Sequence, residues 1–126
     1  MPVISHYDID SNVLIHQAVG HITMEMLIAQ ANTLQKSNEY PSNVNTIWDM
    51  RKTDYTNIDK AFLEELVALR KQMFSYREGA KLAYVASSDF EFGITRMYEM
   101  MSVDIKQKMH IFRTIDAAKA WLASDN

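Results

Sequence analysis

Side chains able to do catalytic chemistry are few in this chain and lie far apart. The chain contains no cysteine, which excludes thiolate catalysis, disulfides and cysteine-based metal sites. Ser87 and Ser88 follow a strand-like run but lack the Gly-x-Ser-x-Gly setting of a hydrolase nucleophile. The three glycines, Gly20, Gly79 and Gly93, are too far apart for a phosphate-binding or dinucleotide-binding loop. We therefore predict no catalytic residue and no cofactor.

The four histidines do not form a metal-binding pattern. They stand at positions 6, 16, 21 and 110. His6 and His16 lie on two strands that we predict to be neighbours, where facing residues have Cβ atoms about 5 Å apart. Two histidines without a third ligand make a poor metal site. We predict that they are ordinary polar residues of a strand face and that no metal binds.

Charged and hydroxyl side chains follow the predicted strands where those strands end. Asp49 and Arg51 follow one strand, with Tyr55 in the loop beyond, and Ser88 and Thr114 follow two others. Ligands of open α/β sheets bind outside the carboxyl ends of the parallel strands, where helix N-termini also attract anions. The same residue types cap helices in general. Two interpretations are open: a binding site at this edge, or capping alone.

The order of apolar patterns predicts an α/β fold. Two strands, residues 3–9 and 13–19, are separated by a tight-turn sequence, and the segments after them alternate between strand and helix. Such alternation requires parallel strands joined by helical crossovers. Further strands are predicted at residues 44–50, 81–86 and 108–112, and a charged loop at 51–57. Helices are predicted at 24–37, 90–103 and 115–123. One more helix begins after an N-cap at Thr56 or Asn57 and ends at about residue 76. The result is a mixed five-stranded sheet, an N-terminal antiparallel hairpin followed by parallel strands, flanked by about four helices.

Bulk composition limits the partners of the chain. With 126 residues, 48% of them hydrophobic and 23% charged, it has the composition of one globular domain. The net charge is −3 and the basic residues are scattered, so we expect no nucleic-acid partner. No apolar run approaches the ~20 residues that span a bilayer, and the first residues lack a signal-peptide pattern. We expect a cytoplasmic protein that does not span a membrane.

Several short segments along the chain follow the pattern of a known family. They are Gly20 followed by Ile22-Thr23, then Ile47-Trp48-Asp49, the strand 81–86, and His110-Ile111-Phe112 leading into residues 116–122. In these segments, and over almost its whole length, the chain resembles the SpoIIAA-like group of STAS domains. The resemblance implies one domain, residues 1–126, with an antiparallel N-terminal strand, a mixed sheet and surrounding helices.

The resemblance also implies a regulatory role. Some STAS domains are anti-sigma-factor antagonists that are switched by phosphorylation within an Asp-Ser-(Ser/Thr)-Gly motif. The matching stretch here, residues 49–57, has no Asp-Ser pair and no glycine. Thr53 and Thr56 lie in this stretch. We predict that both serve as turn or cap residues and carry no phosphate.

The predicted third helix is too apolar for a single buried stripe. At about 100° per residue, Ile94, Met97, Tyr98 and Met101 share a face, whereas other apolar groups lie to its side. Methionine and aromatic residues are enriched at adaptable interfaces. A helix packed deeply between neighbours is also apolar nearly all round. An interaction surface and a fully buried helix are both compatible with the pattern.

Three functional hypotheses follow. The first is a non-catalytic STAS-type domain that acts by protein–protein association, as a homodimer or with a protein partner. The alternative is a carrier or sensor for a small apolar or amphipathic ligand, held between the sheet and the Met-rich third helix. The third is an enzyme that uses Asp49 and Arg51. The candidate interaction or ligand residues are Asp49, Arg51, Tyr55, Ser88, Phe90, Phe92, Met97 and Met101.

Overall fold

The computed structural model of the chain describes residues 3–36, 39–41, 43–73 and 79–124, and the side chain of Met73 is not described. Strands and helices alternate as the sequence predicts. Their bounds are β1 Val3–Asp8, β2 Val13–His21, α1 Met24–Gln35, β3 Asn45–Asp54, α2 Lys60–Met73, β4 Leu82–Val85, α3 Asp89–Met101, β5 Met109–Phe112 and α4 Ile115–Leu122. The predicted ends at residue 37 and at residues 74–76 lie outside the described residues.

The five strands form one mixed sheet in the order β1-β2-β3-β4-β5. β1 pairs with β2 in an antiparallel hairpin, and β2 to β5 are mutually parallel. The segments around Trp48, Val85 and Ile111 run side by side in one direction, which confirms the predicted crossovers. The hairpin turn contains Asn12 at φ +55°, a left-handed conformation that asparagine tolerates better than most residues.

Helices cover the two faces of the sheet unequally. On one face α2 and α3 pack on the sheet through a core that includes Leu63, Val67 and Tyr98, and α1 contacts α2. On the other face α4 packs through Ala118 and Leu122 against Ile47, Ala83 and Val85. In β3, Thr46, Trp48 and Met50 therefore face α1 and α2, and Ile47 faces α4.

β3 is longer than the sequence predicts, because the charged segment 51–54 belongs to the strand. Residues Val19 to His21 of β2 continue the parallel ladder, with Val19 opposite Lys52 and His21 opposite Asp54. Between Gln17 and Val19 the register shifts, since β3 advances by three residues while β2 advances by two. The predicted loop at 51–57 was thus wrong for its first four residues: pairing with β2 keeps a charged sequence extended.

Side-chain caps begin three of the helices, and those at Ser88 and Thr114 agree with the capping interpretation. Thr23, Ser88 and Thr114 each accept a hydrogen bond from the backbone N–H three residues later, at 3.1–3.2 Å. At α2 the prediction of Thr56 or Asn57 was wrong. Asp59, which directly precedes α2, accepts the bond from the Phe62 N–H at 2.9 Å. The Asn57 amide donates to the Ile22 carbonyl.

Candidate functional site

A cavity of about 140 Å³ lies between the sheet, α1 and α2. Its wall is mainly apolar. The apolar lining consists of Leu27, Ala31 and Leu34 of α1, Leu66 and Leu69 of α2, Trp48 and Met50 of β3, Leu82 and Tyr84 of β4, and Ile22. The polar lining consists of His16, Gln30, Thr46, Arg70 and Gln107. A concave, mostly apolar site with a few polar groups is the usual form of a small-molecule site.

The alternation of strand side chains produces this wall. Thr46, Trp48 and Met50 lie two residues apart on β3 and all line the cavity, as the period of two requires. The centre of the Trp48 ring lies 4.6 Å from the centre of the His16 ring on the neighbouring strand. The cavity floor therefore comes from strands β2 to β4, and its roof comes from two helices that are far apart in sequence.

The polar groups of the cavity form two clusters. In the first, the Gln30 amide donates to the Ser5 hydroxyl at 2.7 Å, and Ser5 is hydrogen-bonded to His16 Nδ1 at 2.8 Å. In the second, the Arg70 guanidinium donates to Gln107 Oε1 at 3.1 Å. Burial raises the pKa of Tyr84, next to this second cluster, well above its ordinary value, so its hydroxyl stays neutral.

The cavity lies away from the edge that the sequence suggested. Thr46 and Leu82 stand near the amino ends of β3 and β4, and Gln107 precedes β5. The prediction had drawn candidate residues from the carboxyl ends of the parallel strands, following the general rule for open sheets. Here the cavity lies over the face of the sheet, beneath α1 and α2, and its lining includes none of the candidates Asp49, Arg51 and Ser88.

The third helix is not part of this cavity. A second, smaller cavity of about 30 Å³ contacts α3 through Ile94, Thr95 and Tyr98. Met97 is 45% exposed, although the helical wheel placed it with Tyr98, and Met101 packs against the core. The buried arc is centred on Thr95, Tyr98 and Ser102. The sequence suggested a ligand space between the sheet and α3. In that place the described residues form this small cavity.

Asp49 and Arg51 form a bidentate ion pair. Arg51 Nε donates to Asp49 Oδ1 at 2.8 Å and Nη2 donates to Oδ2 at 2.9 Å, and the Arg51 backbone N–H also donates to Oδ1. Burial disfavours the charged carboxylate, but these hydrogen bonds outweigh it, so the pKa of Asp49 lies below its ordinary value. A carboxylate that is ionised and engaged in this way is poorly suited to proton transfer.

The residues after β4 and β5 form caps and one exposed contact. Ser88 and Thr114 are the helix caps described above. Arg113 donates to Asp89 Oδ1 at 2.8 Å and to the Ser87 carbonyl, and its guanidinium carbon lies 4.4 Å from the centre of the Phe92 ring. At this edge Arg51 and Arg113 thus pair with aspartates, and the hydroxyls of Ser88 and Thr114 cap helices.

Tyr55 and Thr53 are buried parts of the core. The Tyr55 hydroxyl is hydrogen-bonded to Thr95 of α3 at 3.2 Å, and burial raises the pKa of Tyr55. The predicted turn or cap role of Thr53 was wrong, because Thr53 lies within β3. It is 6% exposed and its hydroxyl donates to the Ala18 carbonyl at 2.7 Å. Thr56 is exposed and bonds to Asp54 in a turn. The absence of phosphate from Thr53 and Thr56 stays a prediction.

Several cavity residues were not among the sequence candidates. The sequence predicts His16 as a polar strand-face residue and Trp48 as part of a strand, and it singles out no role for Arg70. A weak signal for Arg70 exists, because it lies one turn after Leu66 and next to Leu69, at the edge of the apolar stripe. The pairing of α1 with α2, which closes the cavity, has no local signal.

Comparison with known proteins supports the fold. No family model matches the chain, and no curated protein matches its sequence. Among solved structures, the chain is similar to an uncharacterized protein of the DUF3478 family from Shewanella loihica, described as having a SpoIIAA-like fold. The TM-score is 0.63 and the identity 14%, over 96% of this chain and 92% of that one. The chain therefore has a SpoIIAA-like fold, as its sequence pattern predicted.

Proposed function

We propose that this chain is a binding domain that holds a small apolar or amphipathic molecule in the cavity between the sheet, α1 and α2. The observation that carries the proposal is the apolar cavity of about 140 Å³. An engineered apolar cavity of about 150 Å³ in another protein takes up benzene. The cavity thus suits an apolar group of about six carbon atoms.

The expected affinity from apolar contacts alone is modest. Burying one methylene is worth about 0.8 kcal/mol, so six carbons contribute about 5 kcal/mol. Part of this is lost to the entropy of association. A ligand held only by the leucine wall would therefore bind weakly, and a carrier or sensor needs an additional polar contact for tight binding.

Trp48 provides a direct test, because its side chain lines the cavity. The other tryptophan, Trp121, packs on the opposite face with the α4 core. In a Trp121→Phe background, titration with 1-octanol should change the emission of Trp48 in a saturable way. Native mass spectrometry of the protein as isolated should in addition show a retained small molecule.

Two alanines of α1 give a matched pair of variants. Ala31 lines the cavity, whereas Ala29 is exposed on the same helix. Ala31→Leu should reduce octanol binding by at least about tenfold by occupying the space, and Ala29→Leu should leave it unchanged. No saturable response of Trp48, or equal responses in the two variants, would contradict the proposal.

A second candidate function is association through α3. We define the α3 stripe as Phe90, Met97 and Met100, which lie within 80° on a helical wheel at 100° per residue and are 70%, 45% and 64% exposed. Val103, 78% exposed, follows the helix. Contiguous exposed apolar side chains mark interaction sites. They support the STAS-type regulatory role implied by the family resemblance, with a homodimer or another protein as partner; light scattering tests the homodimer.

A further inference from the structure

One arginine lines the cavity wall without a carboxylate partner. Arg51, Arg96 and Arg113 each form an ion pair at 2.8–3.1 Å, and their side chains are 44–61% exposed. Arg70 is less exposed than these three residues. Within residues 3–36, 39–41, 43–73 and 79–124, no carboxylate oxygen lies within 4 Å of its guanidinium. Among the arginines that the structure describes, Arg70 is therefore the one without an ion-pair partner.

The hydrogen bonds of Arg70 leave part of its donor capacity unused. Nη2 donates to Gln107 Oε1 at 3.1 Å, and Nη1 contacts the Met109 sulfur at 3.4 Å. Nε is buried and has no hydrogen-bond partner. A guanidinium has five N–H donors, and a sulfur atom is a weak acceptor. Because Nε is buried, it does not reach the cavity, and the guanidinium carbon lies 5.5 Å from the centre of the Tyr98 ring. The remaining N–H groups of Nη1 and Nη2 can donate to a further, stronger acceptor.

A carboxylate matches the unused donors of Arg70. Arginine donates strong, charge-assisted hydrogen bonds to carboxylates, as Arg51 does in this chain to Asp49. Among the residues that the structure describes, the cavity lining contains Arg70 but no aspartate or glutamate, so a single negative charge complements it. A phosphate, with close to two charges at neutral pH, would need a further cation.

Resting on the proposed function above, we propose that the ligand is a small monocarboxylate. Its carboxylate binds Arg70, beside the Gln107 amide, and its apolar body of about six carbons packs on Leu66, Leu69 and Trp48. The cavity volume of about 140 Å³ sets the size of that body. Medium-chain fatty acids and small arylalkanoic acids belong to this chemical class.

Three probes with one chain length and different head groups test the proposal. Octanoate, 1-octanol and octylammonium are titrated into the Trp121→Phe protein at neutral pH, and Trp48 emission reports binding. Octanoate should bind at least about tenfold more tightly than octanol, since a hydrogen bond to a charged group is worth about a factor of ten or more. Octylammonium should bind most weakly.

Variants assign the head-group preference to one residue. Arg70→Gln should reduce octanoate affinity to that of octanol and leave octanol affinity unchanged. Arg96→Gln removes an equally charged but exposed side chain of α3 and should change neither affinity. Circular dichroism checks that both variants fold. The comparison of the three head groups uses the Trp121→Phe protein with Arg70 in place, so it does not depend on the folding of either variant.

The outcomes separate the two proposals. Equal affinities for octanoate and octanol, or an unchanged octanoate affinity in a folded Arg70→Gln protein, would overturn the monocarboxylate assignment while the binding function stands. Failure of all three probes to change Trp48 emission would remove the binding function and this inference together.

Discussion

At the scale of single residues, Asp49 and Arg51 form an ion pair that keeps the Asp49 carboxylate ionised. Asp49 is buried, and its carboxylate stays ionised because Arg51 donates to both of its oxygen atoms. The folded-state pKa of Asp49 is below the unfolded value of about 3.9. Its stabilisation is therefore fully present above that value and is lost as the pH falls through the folded-state pKa.

Arg51→Met should expose the cost of burying this carboxylate. At pH 7 we expect the free energy of unfolding to fall by about 1–3 kcal/mol, less than for a fully buried pair because Arg51 is 44% exposed. Without Arg51, burial raises the pKa of Asp49, so the difference between the two proteins should grow as the pH rises above about 4. Urea unfolding at several pH values measures it.

Lys52→Met is the control for this experiment. Lys52 is exposed, neighbours Arg51 on β3 and contributes only a charge interaction to the pKa of Asp49. Its removal should cost less than about 0.5 kcal/mol. An equal loss in both variants, or a loss from Arg51→Met that does not change with pH, would show that the ion pair is not the cause.

At the scale of elements, capping residues and strand pairing have different origins. Ser88 and Thr114 cap their helices through the backbone that immediately follows them, so residue type and position suffice to predict them. Residues 51–54 lie in β3 because β2 provides their partners. No property of the charged sequence itself predicts that extension.

Thr114→Ala should test the contribution of a cap to α4, which is eight residues long. We expect a loss of about 1 kcal/mol in the free energy of unfolding, because the Ala117 N–H loses its acceptor. Thr114→Asp keeps an acceptor and should be close to the unsubstituted protein. Denaturant unfolding with an unchanged m-value gives the difference; equal losses in both variants would argue against capping.

At the scale of the whole molecule, the cavity and the α3 stripe are separate features. The cavity is formed by α1, α2 and strands β2 to β4, whereas the stripe is the exposed side of α3. No helix of the described residues is long and apolar enough to cross a bilayer. Because the cavity and the α3 stripe consist of different residues, ligand binding and association can be tested by different variants.

The double variant Met97→Gln/Met100→Gln tests association through the α3 stripe. If the stripe forms a homodimer, light scattering should give twice the chain mass of 14.6 kDa. Because four partly exposed methionines per dimer contribute about 1 kcal/mol each, the variant should weaken the dimer roughly a thousandfold. Glutamine preserves helix propensity.

Met26→Gln/Ile28→Gln is the matched control on α1, where both side chains are exposed. It should leave the dimer intact. A monomer at every concentration of the unsubstituted protein would remove the homodimer. Equal dissociation in the two double variants would indicate a general effect of surface polarity and not an interface on α3.

The sequence by itself determined the element order, the parallel crossovers and most helix caps, because apolar periodicity and capping are local properties of consecutive residues. Only the tertiary structure decided where the cavity lies, that residues 51–54 join the sheet and that Arg70 lines an apolar space without a carboxylate. Those features depend on contacts between segments far apart in the chain: α1 with α2, β2 with β3, and Arg70 with Gln107. Contacts of this kind leave no periodic trace in either segment, so the site could not be located from residue spacing alone.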